Sequence, residues 1–278
     1  MLTHRHLHCQ LELITVWAAA FIAAAPPASA QVGLALAPMR EELQLAPGAQ
    51  HSGVLTLAND TTEKTRVMGE LLDFFLDQTA TPQFGRYPQE SEYSCQPWLL
   101  LNPVEAELNG KSQLTARYTI RVPQNAQERS YHCAVGFTTR PTAENARGMG
   151  LRMAVQIVCS IYVVVGKPRV EGSVKDLRLE YVADAKSPVW RAVVVFNNPG
   201  AMHFRPIGDL DVLSQSGEVV ESVKFTPLPV LPKRDQKFTL PLKLAGGPGK
   251  YTLRARVDIG GDEIQEATAD VVAQKPAP

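Results

Sequence analysis

Between Leu34 and Val272 apolar side chains recur at every second position in short runs, and no segment sustains the 3.6-residue spacing of an amphipathic helix. A run of that kind buries one face and turns the other outward, so the chain is predicted to be all-β. In the first half the runs are Leu34 to Ala37, Gly53 to Ala58, Thr65 to Asp73, Trp98 to Leu101, Gln113 to Val122, Ser130 to Thr138 and Leu151 to Val165. Between them stand Pro47-Gly48, Asn59-Asp60, Asn109-Gly110 and Pro123-Gln124-Asn125, which supply fixed or positive φ at little cost. So many brief strands in so short a stretch match a β-sandwich.

Gly166-Lys167-Pro168 stops the longest run, and a second series follows. Its runs are Val174 to Val182, Val189 to Asn197, Ile207 to Leu213, Val219 to Phe225, Lys237 to Leu244, Lys250 to Ile259 and Ile264 to Val272. Ser216-Gly217 and Gly260-Gly261 read as hairpin turns. The expectation is two immunoglobulin-like β-sandwich domains in tandem, 31–166 and 167–273, with a frayed tail at 274–278.

Residues 1–30 join a basic start (His4, Arg5, His6, His8) to an apolar core from Ile14 to Ala25 and a small-residue end, Ala28-Ser29-Ala30. These are the three parts of a secretory signal peptide, with cleavage expected after Ala30. The apolar core falls short of the roughly 20 residues that a membrane-spanning helix needs, and Pro26-Pro27 stops any helix there. The longest later apolar stretch, Ile157 to Val165, is also too short and is interrupted by Ser160, so no membrane insertion is expected after signal removal. The 28 basic and 28 acidic residues cancel. That balance removes the electrostatic reason to expect nucleic acid or an anionic membrane as partner. Cys95, Cys133 and Cys159 follow the signal, and although export permits disulfides, an odd number cannot pair completely within one chain.

In SYHCAVGF, Ser130 to Phe137, the side chains of Tyr131, Cys133, Val135 and Phe137 share one face of a strand, and His132, Ala134 and Gly136 share the other. His132 therefore points away from Cys133, and the adjacent pair is not a thiol with its base. Neither His51 nor His203 is surrounded by a nucleophile elbow, a glycine-rich phosphate loop or paired-histidine metal spacing. Asp73 and Asp77 fall on a strand and a loop, where their spacing creates no common face. A non-enzymatic protein without cofactor or metal is the expectation. Cys133 reads as a small core hydrophobe, Cys159 lies on the apolar face of the last strand, and Cys95 sits in the polar connection YPQESEYSCQPW. All three reduced is the expected state, with a Cys95 bridge to Cys133 or Cys159 as the alternative.

The order of these motifs resembles a known family. Tyr131-x-Cys133 is similar to strand F of immunoglobulin-like sandwiches, in which the tyrosine forms a corner. MREELQLAPGAQHSGVLTLAND, WLLLNPVEAELNGKSQLTARYTIRVP, SYHCAVGFTTRP and the final strand LRMAVQIVCSIYVVVG resemble the first domain of periplasmic pilus-assembly chaperones of the PapD-like kind. The "P-G … N" opening and NNPGAMHFRPIGDLDVLSQSG also resemble the exported two-domain proteins known as WxL-interacting proteins.

The chaperone resemblance implies a periplasmic protein that offers the last strand of its first domain to an exported pilin-like subunit by strand pairing. The partner-binding row it implies is Met153, Val155, Ile157, Cys159 and Ile161, beside a moving loop from Thr138 to Gly150. It also implies that Arg40 anchors the subunit's terminal carboxylate, while the family's second basic position reads Ser160 or a nearby neutral residue. The other resemblance implies a periplasmic or cell-surface scaffold that binds an envelope protein or glycan through loops or through Tyr87, Tyr93 and Trp98, with its final strand sealed inside its own sheet. Plainer readings stand beside these: a core strand for the alternating row, a solvated rim position for Arg40, core filling for Trp98 and Trp190, and a turn for His203.

Overall fold

The computed structural model describes residues 33–87, 92–140, 154–183 and 189–274. The expected signal peptide, Met153, most of the Thr138 to Gly150 loop and the end of the tail lie outside the described residues. The first half contains β1 (Leu34–Ala37), β2 (Arg40–Leu45), β3 (Gln50–Asn59), β4 (Thr65–Leu76), β5 (Pro82–Gly85), β6 (Leu99–Asn102), β7 (Glu105–Leu108), β8 (Gln113–Arg121), β9 (Ser130–Arg140) and β10 (Gln156–Val165). One sheet has the order β1-β3-β8-β6, and the facing sheet has the order β2-β10-β9-β4-β5 with β7 also on β4. The chain thus begins in one sheet, where Leu36 pairs with Leu57, crosses at Pro38-Met39, and continues in the other, where β2 runs parallel to β10.

The second half contains β11 (Ser173–Val182), β12 (Val189–Asn198), β13 (Ile207–Leu213), β14 (Val219–Lys224), β15 (Arg234–Leu242), β16 (Gly249–Asp258) and β17 (Gln265–Ala273). They form a three-stranded sheet, β11-β12-β15, and a four-stranded one, β14-β13-β16-β17. The all-β expectation of two tandem sandwiches holds. Three short strands, β2, β5 and β7, add to the expected set. Their sequences REELQL, PQFG and EAEL are too polar or too brief to show an alternating face. Each forms by hydrogen bonding to a neighbour that already exists, β10 for the first and β4 for the other two.

Alternation decides what each sandwich encloses. Leu36, Leu57, Tyr118, Val135, Phe137 and Ile161 meet between the first pair of sheets, and Val194, Phe196, Leu210, Phe238, Leu253 and Val257 between the second. Burying an apolar side chain of this size contributes about 1.5–3 kcal/mol. Phe196 meets Phe225 and Phe238 edge-on at 5.7 and 5.2 Å, the orientation that aromatic quadrupoles favour. The Tyr131 hydroxyl donates to Gln127 O at 3.2 Å, which is the tyrosine corner expected before Cys133. Tyr251 does the same in the second sandwich, donating to Gly247 O at 2.9 Å.

A third apolar cluster joins the two sandwiches. Leu72, Phe74 and Leu76 of β4, Ala134 of β9 and Tyr162 of β10 surround Leu231, which comes from the second half and is fully enclosed. With it, β9 is buried on both faces along Ser130 to Phe137. Alternation places Tyr131, Cys133, Val135 and Phe137 in the core of the first sandwich, as expected, whereas His132 is covered by Phe74 and Ala134 by the cluster around Leu231.

The all-reduced expectation is overturned: Cys95 and Cys133 form a disulfide, with Cα atoms 5.2 Å apart, and Cys159 is a free, buried thiol. The connection that carries Cys95 is polar in sequence but lies alongside β9. Ser94 bridges His132, and Cys95 N–H donates to His132 O at 3.3 Å, which places the Cys95 side chain fully inside the core. That placement depends on contacts between segments far apart in sequence, which composition does not reveal.

Candidate functional site

The strand QIVCSIYVVV of β10 alternates so that Ile157, Cys159, Ile161, Val163 and Val165 face the first core, while Val158 and Tyr162 face the cluster around Leu231. One edge is paired throughout, from Gln156 opposite Thr138 to Val164 opposite Ser130. The other edge is paired only from Ser160 opposite Arg40 to Val165 opposite Leu45. Gln156 to Cys159 therefore have no strand on that side among the described residues. Ser160 N–H donates to Met39 O at 3.0 Å, towards β2. Because edge groups alternate, the N–H and C=O of Val158 point to the same side and face the gap. A sealed last strand, as the scaffold resemblance implies, is present from Ser160 onward and absent from Gln156 to Cys159 among the described residues.

The implied partner-binding row divides just before this boundary, between Ile157 and Cys159. Cys159 and Ile161 are completely enclosed by the core of the first sandwich, so their side chains are not free for a partner and that part of the expectation is corrected. Val155 and Ile157 are half-buried and lie at the open part, with Val155 tied to β9 through Thr139. Met153 is outside the described residues. The Cys159 thiol is pushed up to about 12, first by burial and then by the nearby Glu41 carboxylate, so it is neutral at ordinary pH.

Arg40 is the first residue of β2 and stands at the inner end of the gap, with more than half of its side chain exposed. Its closest acidic neighbour is Glu42, two residues on and on the same face of the strand. The Glu42 carboxylate binds across to the second sandwich: Arg205 Nε donates to Oε1 at 2.9 Å, and His203 Nε2 lies 3.4 Å from Oε2. Arg40 Nε is 3.6 Å from the same Oε1. The hydrogen bond with His203 is the largest influence on Glu42, and together with the Arg205 guanidinium it outweighs burial and holds the carboxyl at about 2.

Arg205 lies over the Tyr162 ring at 4.9 Å and donates through Nη1 to Pro227 O at 3.0 Å. Backbone bonds secure the same junction, with Ser130 N–H donating to Ala201 O at 2.9 Å and His203 N–H to Ser130 Oγ at 2.8 Å. Reading His203 as a turn residue misses its burial at this junction. Glu42, Tyr162, His203 and Arg205 carry no shared motif; they come from three distant segments, and only the packing of one sandwich on the other assembles them. Trp98, expected either to fill a core or to be displayed, is packed on Tyr131 at a centroid distance of 4.4 Å.

Together these features define a tandem-sandwich protein whose first sandwich ends in a strand that is half sealed and half open. No family model and no curated protein matches the chain. Among solved structures it is similar to the class 5 fimbriae chaperone CfaA, at 11% identity over 87% of this chain and 100% of that one, with a TM-score of 0.46. It is also similar to the E. coli chaperone DraB, at 16% identity over 87% and 98% of the two chains, with a TM-score of 0.40. A chain of the Salmonella enterica complex of the SafA pilin with the SafB chaperone is similar at 16% identity over 85% and 95%, with a TM-score of 0.40.

Proposed function

We propose that this chain is an exported chaperone-like protein that binds a pilus or other envelope subunit by strand pairing on the open edge of β10, in the periplasm. The observation that supports it is the one-sided pairing of Gln156 to Cys159. An extended partner segment laid along that edge continues the line of β2, takes up the N–H and C=O of Val158, and covers the half-buried Val155 and Ile157. Each backbone hydrogen bond contributes roughly 0.5–1.5 kcal/mol net, so side-chain burial must supply most of the affinity.

The partner strand in this reading takes the direction of β2. A segment that runs parallel to β10, as β2 does, brings its C-terminal end to Arg40. The chain end carries a carboxylate and Arg40 an exposed guanidinium, which match in charge. The test is Ile157→Lys, which places an ammonium group in the apolar row. Co-purification of the subunit from envelope fractions should be lost; recovery equal to that of the unaltered protein would sink the reading.

A further inference from the structure

We propose that Arg205, in the second sandwich, is a positioning residue that keeps the charge of Arg40 available to a partner's terminal carboxylate by holding Glu42; this rests on the strand-pairing function proposed above. Both guanidiniums approach the same oxygen of Glu42, but unequally. Arg205 makes a hydrogen bond of 2.9 Å, whereas Arg40 is 3.6 Å away, beyond hydrogen-bond distance. Their surroundings differ in the same sense: the Arg205 side chain is 15% exposed and braced on Tyr162, and that of Arg40 is 55% exposed.

One carboxylate between two guanidiniums leaves one positive charge without compensation. The more loosely held, exposed Arg40 carries it, at the point where β2 stops and the open edge begins. Ser160, directly opposite, brings no charge. The share of Arg40 that Glu42 neutralises therefore decides how strongly a chain-terminal carboxylate is attracted there. Arg205 does not reach that ligand itself. Its Nη1 is taken by Pro227 O, and its Nη2 is shut away from solvent. Without Arg205, Glu42 keeps its His203 contact through Oε2, but Oε1 has Arg40 as its nearest guanidinium, and the anchor is neutralised although it is unchanged.

The test compares a synthetic nonapeptide of alternating threonine and valine ending in a free carboxylate with the same peptide ending in a carboxamide. Affinities are measured for the unaltered protein, Arg205→Gln, Glu42→Gln and the double variant. The unaltered protein should prefer the carboxylate about tenfold, in keeping with one charge-assisted contact. Arg205→Gln should abolish the preference, and adding Glu42→Gln should restore it, because nothing is then left to neutralise Arg40. Taking the ratio of two peptides within each protein cancels any loss of folded material. A preference that survives Arg205→Gln, or that fails to return in the double variant, overturns the role of Arg205 while strand docking stands. No binding of either peptide by the unaltered protein overturns both.

Discussion

Arg40 and Ser160 face each other across β2 and β10, and the pairing of those two strands begins with them. On one side of this pair the last strand of the first sandwich is a central strand, and on the other it is an edge. The crossover at Pro38-Met39 produces this boundary, because the residues before it pair with β3 in the opposite sheet. An exposed edge is ordinarily an aggregation hazard. Among the described residues it runs from Gln156 to Cys159 and ends beside a charged residue.

Val158→Pro removes the N–H that faces the gap and leaves the bonds to β9 intact, since proline is tolerated on an open edge. The folded protein should survive with its thermal midpoint little changed, while subunit binding falls by about tenfold or more, the effect of losing a hydrogen bond and its strand register. Ile157→Pro, whose N–H faces β9, should instead unfold β10. Thermal melts alongside a pull-down separate the two outcomes.

Thiol counting tests the disulfide. A chain beginning at Gln31, denatured without reductant, should show one reactive thiol, and three after reduction. In the native protein that thiol should be silent to maleimide, because Cys159 is enclosed and pushed up to about 12. Replacing Cys95 and Cys133 together with alanine should cost about 4 kcal/mol from the 38-residue separation they close, read by urea unfolding.

Glu42 links the junction to pH. Its folded pKa of about 2 lies below the usual 4.5, so its contribution is complete above the higher value and is lost as pH falls towards the lower one. Between pH 6 and pH 2.5 the unaltered protein should therefore lose more stability than Glu42→Gln. Parallel slopes in the two proteins would show that the His203 and Arg205 contacts do not stabilise the fold.

Leu231 carries an apolar side chain of the second half into the cluster on the outer face of β4, β9 and β10. Leu231→Ala should cost about 3 kcal/mol, because rigid aromatic neighbours such as Phe74 and Tyr162 cannot collapse into the space. Leu231→Met, which preserves volume, should cost less than about 1.5 kcal/mol. Chemical denaturation of the two variants measures the difference.

Most strands were legible because their information is local. Alternation in SYHCAVGF places Cys133 and Phe137 in a core regardless of what lies opposite. REELQL was not legible, since its leucines at 43 and 45 suggest only a brief alternation and its partner strand lies more than a hundred residues away. In the candidate site, the apolar row of β10 and Arg40 could be named in advance. What could not be named was where the row stops being available, because Cys159 and Ile161 carry the same pattern as Ile157 and differ only in how completely the core encloses them.

Period-two patterning and turn chemistry are properties of neighbouring residues, and they were enough to establish two tandem sandwiches and the inward face of most strands. The Cys95–Cys133 bond, the second buried face of β9 and the Glu42–Arg205 contact belong to the folded molecule alone. Each depends on distances between segments separated by 38 to 163 residues. Such distances are fixed only when whole sheets pack, because burial and charge pairing act through space and not along the chain.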